Sequence, residues 1–195
     1  MTSSRLEAFS DGVIAIIITI MVLELKIPHG YDWKALIPAI PVFLTYVMSF
    51  MYLGIYWNNH HHMIFTAKRV NGKILWANMH LLFWLSLIPF VTGWMGENHF
   101  ASEPTALYGV ILLMAAIAYS VLQGTIISMQ GKNSKLKKAI GRDFKGRASI
   151  WIYMAAIALS FWNHWVAVAL YILVAFMWLI PDRRIESIVA ENETS

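Results

Sequence analysis

Six stretches of the chain, at about 8–26, 35–57, 73–95, 105–129, 146–162 and 165–180, come close to twenty consecutive, mainly apolar residues. Crossing the hydrocarbon core of a bilayer takes about 20 residues as a helix, the one open-chain structure that satisfies its own backbone polar groups there. With 58% hydrophobic and 13% charged residues among 195, the chain is too apolar for a soluble domain of this size. The expected fold is therefore an all-α integral membrane protein with six transmembrane helices, forming one domain over 1–195. No internal repeat, low-complexity tract or linker divides it. The last two stretches are short, about 24 Å each at 1.5 Å per residue. Only Asn163-His164 separates them, so they read as a tight helical hairpin. Trp and Tyr gather near the span ends, at Tyr31, Trp33, Trp57, Trp94, Trp162, Trp165 and Trp178, where amphipathic rings favour the membrane interface.

The charges orient these spans. Thirteen of the fifteen Lys and Arg fall at the termini or in the loops after the second and fourth spans, leaving Lys26 and Lys34 on the other face. By the positive-inside rule both termini are cytoplasmic in a multi-pass cell-membrane protein, and Glu97 and Glu103 mark an acidic outer loop. The segment 132–147 mixes seven bases with Leu136, Ile140 and Phe144. It reads either as a solvated loop that sets topology or as a strip lying along anionic lipid. The net charge of +4 is accounted for by this loop, so nucleic acid is not implied. Cysteine is absent, which excludes disulfides, zinc-thiolate sites and thiol catalysis. Catalytic serine and nucleotide motifs are missing too, so no enzyme is expected. Arg5 precedes the first span, but Glu7 and Asp11 interrupt it and no small-residue cleavage site follows, so it reads as a retained helix.

Chemistry concentrates in that first span, where Arg5-Leu6-Glu7-Ala8-Phe9-Ser10-Asp11-Gly12 runs into the apolar Val13 to Leu23. A charge inside a bilayer costs roughly 2.5 kcal/mol or more, so Asp11 is expected to face a bundle interior or a water-filled path. Helical spacing puts Gly12, Ile16, Thr19 and Leu23 on one face, with Ser10 and Asp11 displaced to its flank. Ser10 and Asp11 also suit a helix cap just before Gly12, although Gly12 to Leu23 is then too short to span. An apolar stripe with one Thr is ordinary packing material as well.

Two other features invite function. His60-His61-His62 beside Asn58 and Asn59 suggests a metal or proton-sensing site. Adjacent helical residues diverge, however, and His29, His80, His99 and His164 are isolated, so supporting or interfacial roles are favoured and no metal is expected. Pro38, Pro41 and Pro89 are expected to kink their spans. Broken helices build transporter sites, which supports a secondary cation transporter or exchanger using Asp11 as its coupling site. No ionisable residue falls near the middle of a span, so the channel reading is preferred.

Arg5, Phe9-Ser10-Asp11-Gly12-Val13, Ala15-Ile16, Thr19 and Leu23-Glu24 together resemble the FSD-motif potassium channels of endosomes and lysosomes and their bacterial relatives. Looser matches are Ser49-Phe50, Trp57, a His pair after the second span, Asn78, Ser86 and Pro89-Phe90. The resemblance implies a bacterial homotetramer of six-span chains whose first helix lines the pore, without a carbonyl-loop selectivity filter. Consistently, no Thr-Val-Gly-Tyr-Gly sequence occurs. It places the constriction on Ile16, with further layers at Thr19 and Leu23 and weaker pore-lining candidates at Gly12 and Ile20. Four Ile16 side chains around an axis form an apolar ring, and such rings gate by dewetting. Potassium, the permeant ion, sheds its hydration more readily than sodium, and four Thr19 hydroxyls replace some of the lost water. No other cofactor is expected. Arg5, Phe9, Ser10 and Asp11 become a structural network, with partners for Ser10 and Asp11 sought among His60, His61, His62 and Asn78.

Overall fold

A computed structural model describes residues 2–67, 70–131, 136–137 and 143–179. Among them every regular element is helical, and each of the six expected stretches contains a helix. Helix α1 spans Ser3–Met21 and continues as a 3₁₀ turn over Val22–Glu24. A 3₁₀ segment at Trp33–Ala39, capped where the Asp32 side chain accepts from the Ala35 amide at 3.2 Å, leads into α2, Ile40–Phe65. Helices α3 (Gly72–Ser86) and α4 (Ile88–Glu97) follow, then α5 (Ser102–Gln130), α6 (Phe144–Ser160) and α7 (His164–Leu179). Ser3–Glu24, Trp33–Phe65, Gly72–Glu97 and Ser102–Gln130 are long and apolar enough to cross a membrane, while α7 is a shorter apolar helix.

The boundaries correct several expectations. Nothing between Ser3 and Asp11 breaks a helix, so α1 begins five residues before the expected start, and Ser10 and Asp11 lie inside it rather than capping it. Helix α2 runs eight residues past the expected end, because Asn58 to His62 are polar but contain neither Gly nor Pro. The three histidines therefore occupy its last turns rather than a following loop. Pro38 sits in the 3₁₀ segment and Pro41 in the first turn of α2, where a missing amide costs nothing, so neither kinks the span from within. Pro89 does interrupt its span: α3 stops at Ser86 and α4 restarts at Ile88. The α6–α7 hairpin turns on Asn163, whose amide donates to Leu159 O at 2.8 Å and whose side chain accepts from the Trp165 amide at 2.9 Å.

Helix α5 is the centre of the bundle, packed on α3 and α4 on one side and on α6 and α7 on the other, while α1 lies against α2, α3 and α4. Tyrosines tie the layers together. Tyr52 donates to Tyr171 O at 2.5 Å, Tyr171 to Thr105 O at 3.1 Å, and Tyr153 to the Tyr52 hydroxyl at 3.3 Å. Ser49 Oγ lies 2.6 Å from Thr92 Oγ1 and 3.0 Å from the Tyr108 hydroxyl. Buried polar groups that find partners in this way avoid a desolvation cost of roughly 1–3 kcal/mol each. Small residues admit the close approaches, as membrane helices require. A Cβ on Gly109 would fall 2.1 Å from the Tyr171 hydroxyl, and one on Gly96 would fall 2.7 Å from Val42 Cα.

Candidate functional site

Helix α1 has two distinct faces. Leu6, Ser10, Ile14, Ile17 and Met21, spaced three and four apart, are buried against the rest of the chain. On the opposite side Phe9, Gly12, Ile16, Thr19, Ile20 and Leu23 are exposed within the single chain. Ile16 is 59% and Leu23 76% accessible, whereas Ile14 and Ser10 are at 0%. The five pore candidates thus share one uncovered stripe. Thr19 donates its hydroxyl proton to Ile16 O at 3.0 Å, which leaves its oxygen lone pairs as the only polar offering on that stripe.

The buried face is fixed by a directed chain of hydrogen bonds. Ser10 Oγ lies 2.9 Å from Leu6 O, a carbonyl that can only accept, so the Ser10 proton is committed there. Asn78 must then turn its amide nitrogen to Ser10, at 2.9 Å, and its oxygen to His60 Nε2, at 2.7 Å. His60 in turn must carry its proton on Nε2. Ser10, His60 and Asn78 are all fully buried, and together they join α1, α2 and α3.

A second ladder lies beside the first. The half-buried Asp11 accepts from Trp57 Nε1 at 3.0 Å, and His61 Nδ1 lies 2.6 Å from Glu7 Oε1. Asp11 is therefore held by an indole rather than by a histidine or Asn78, because Asn78 is committed to Ser10 and His60, and His61 to Glu7. The three histidines diverge as expected: His60 reaches Asn78, His61 reaches Glu7, and the His62 ring meets that of His61 edge-on at 5.3 Å. Arg5 is exposed in the first turn. From the sequence Glu7 stands only as a charge interrupting the first span, and Trp57 only as an interfacial ring and a matching residue. Their spacing held the signal: Glu7 and Asp11 are four apart on α1, Trp57 and His61 four apart on α2, so two turns of each helix face each other.

At the opposite end of α1, Lys26 pairs with Glu97, the last residue of α4, and the Glu24 carboxylate lies so close to Gly93 that a Cβ there would fall 2.8 Å from it. The Glu97 carboxylate, by hydrogen bond and charge, raises the Lys26 pKa above its ordinary value. Among the described residues no group of three or more His, Cys, Asp or Glu is arranged to hold a metal ion.

Residues 5–89 match the family model of the endosomal/lysosomal potassium channel TMEM175. A potassium channel of Chryseobacterium sp. (strain P1-3) is 59% identical over 98% of this chain and 100% of its own length. The human endosomal/lysosomal proton channel TMEM175 is 28% identical over 53% of this chain, a stretch amounting to 23% of that much longer protein. The crystal structure of a lysosomal potassium-selective channel TMEM175 homolog from Chamaesiphon minutus superposes with a TM-score of 0.77 at 28% identity, covering 92% of this chain and 97% of that one.

Proposed function

The chain belongs to the family of the TMEM175 channels, which are ion channels and not enzymes, and on that premise we propose that it is a potassium channel of the bacterial inner membrane whose pore is lined by α1 in a homotetramer. The observation that carries this reading is the two-faced α1: one face is locked into α2 and α3, while Gly12, Ile16, Thr19, Ile20 and Leu23 have no cover within the chain. Four such stripes meeting at an axis form a throat without charges or backbone carbonyls. Ile16, the most exposed isoleucine of the helix body, forms its apolar constriction, closed when too narrow to hold water and conducting when slightly wider.

Selectivity then rests on dehydration. Potassium gives up part of its hydration shell more readily than sodium, and the outward lone pairs of Thr19, whose proton is spent on Ile16 O, compensate part of the loss. Leu23 narrows the outer mouth, with both termini cytoplasmic as the Lys and Arg distribution favours. Asp11 serves the scaffold, since its carboxylate holds the Trp57 indole beside the pore helix.

Purified protein in liposomes tests the reading. A potassium gradient with a potential-setting ionophore should drive flux without a counter-ion, and Ile16→Asn should raise that flux. A flux that stops when an exchangeable ion is withheld would instead identify an exchanger.

A further inference from the structure

A throat built from Ile16 and Leu23 carries no charge, and chloride gives up water about as readily as potassium, so dehydration alone does not choose cations over anions. The Thr19 oxygens act only on an ion that has already entered. At the cytoplasmic end Glu7 faces His61, Asp11 is turned to the Trp57 indole, and Arg5 is exposed in the preceding turn. The loops of that face are rich in Lys and Arg, so its field has the wrong sign to gather cations. Discrimination by charge therefore falls to the outer end of α1, where the outer loops hold Glu24, Asp32, Glu97 and Glu103 against Lys26 and Lys34.

One of these acids is both uncompensated and next to the pore stripe. Lys26 is bonded to Glu97, so those two charges cancel. Asp32 is turned to its own backbone, capping the 3₁₀ segment at Trp33–Ala39. Glu103 lies in the first turn of α5, whereas α1 packs on α2, α3 and α4. Glu24 ends the 3₁₀ turn that continues α1, one residue beyond the exposed Leu23. Its half-buried carboxylate rests on Gly93 and makes no hydrogen bond or ion pair among the described residues. It also lines an open groove shared with His29, Glu97 and His99, where water reaches it. The Glu24 charge does act on Lys26, but less strongly than that of Glu97.

We propose that Glu24 sets the charge selectivity of the channel: four copies around the axis form a ring of negative charge at the outer mouth that concentrates potassium and turns chloride away. The inference rests on α1 lining the pore of a homotetramer. Such rings act without touching the ion. A charge about 10 Å away changes the local cation concentration about twofold in water, so four together give about tenfold when salt is low. The Lys26–Glu97 pair keeps the ring effective, because a Lys26 released from Glu97 would turn to Glu24 and cancel it.

Reversal potentials across a potassium chloride gradient, measured on the full chain in lipid bilayers, read the potassium over chloride permeability ratio. At about 10 mM salt, where the Debye length is about 30 Å, Glu24→Gln should lower that ratio about three- to tenfold. Glu24→Asp, which keeps the charge, should stay near wild type. At about 1 M salt, where the Debye length is about 3 Å, wild type and Glu24→Gln should converge, which a merely structural role of Glu24 would not produce. Glu97→Gln, which frees Lys26, should also lower the low-salt ratio, Lys26→Gln, which uncovers Glu97, should raise it, and Glu103→Gln should leave it as in wild type. Ile16→Asn measured alongside separates the two readings. If it raises flux while Glu24→Gln keeps the wild-type ratio at low salt, the Glu24 assignment is overturned and the pore reading stands. A loss of ratio equal at both salt concentrations, or matched by Glu103→Gln, overturns the assignment as well. If Ile16→Asn leaves flux unchanged, both readings are overturned together.

Discussion

Asn78 presents its oxygen to His60 Nε2 at 2.7 Å, and that orientation is dictated from two residues away, by the commitment of the Ser10 proton to Leu6 O. A buried amide so placed is satisfied at both ends, and neither end can be removed alone without stranding a partner. Asn78→Leu should therefore cost about 1–3 kcal/mol for each orphaned group, Ser10 and His60. Thermal melts in detergent should show a clear fall in Tm together with loss of the oligomer on size exclusion. An unchanged Tm and elution volume would mean that the chain of bonds contributes nothing to how α1 is seated.

Asp11 separates a scaffold role from a coupling role. Asp11→Asn keeps an acceptor for the Trp57 indole, 3.0 Å away, and removes the charge. A channel should conduct normally through this variant, whereas an exchanger that loads its ion on the carboxylate should stop. Asp11→Ala strands the indole N–H and should lower stability by about 1–3 kcal/mol whichever mechanism holds. Liposome flux of the two variants side by side reads both effects.

How much was legible in the sequence follows from what each signal is made of. Six apolar stretches report a bilayer-scale length, which depends on composition alone, so the helices stand where expected. Their ends depend on breakers, and the run from Ser3 to Asp11 and that from Asn58 to His62 are polar without breaking, so α1 and α2 both outrun the hydropathy signal. Ser10 and Asn78 were nameable as partners because both are polar groups in apolar helices. The pairing of Asp11 with Trp57 was not, since an indole reads as an interfacial anchor until a carboxylate is found beside it. The tyrosine bond that holds α7 to α2 joins residues 119 positions apart, and no local pattern encodes such a distance.

Gly109 tests whether the close approach of α5 and α7 is required. A Cβ there would meet the Tyr171 hydroxyl at 2.1 Å and the Ile157 side chain at 2.8 Å, and Tyr171 is anchored to Thr105 O at 3.1 Å. Gly109→Ala should therefore destabilise the bundle by about 1–3 kcal/mol through overpacking, even though Ala is the better helix former. Pairing it with Tyr171→Phe, which removes the clashing oxygen, should recover part of the loss. A melting temperature equal to or above wild type for Gly109→Ala alone would show that α7 moves aside freely.

Ile16 and Thr19 carry the functional reading, and their variants should fail in different ways. In the proposed tetramer Ile16→Asn replaces four branched alkyl groups by four amides, so the ring should hold water at a diameter that would otherwise keep it dry, raising resting flux of potassium and sodium alike. Thr19→Ala removes the outward lone pairs but leaves the apolar ring intact. Its flux should persist while the potassium over sodium ratio falls roughly two- to tenfold, the worth of one net hydrogen bond. Reversal potentials measured in mixed potassium and sodium gradients separate the two outcomes. Equal ratios for wild type and Thr19→Ala would leave dehydration at Ile16 as the whole of selectivity, and equal flux for wild type and Ile16→Asn would remove α1 from the pore.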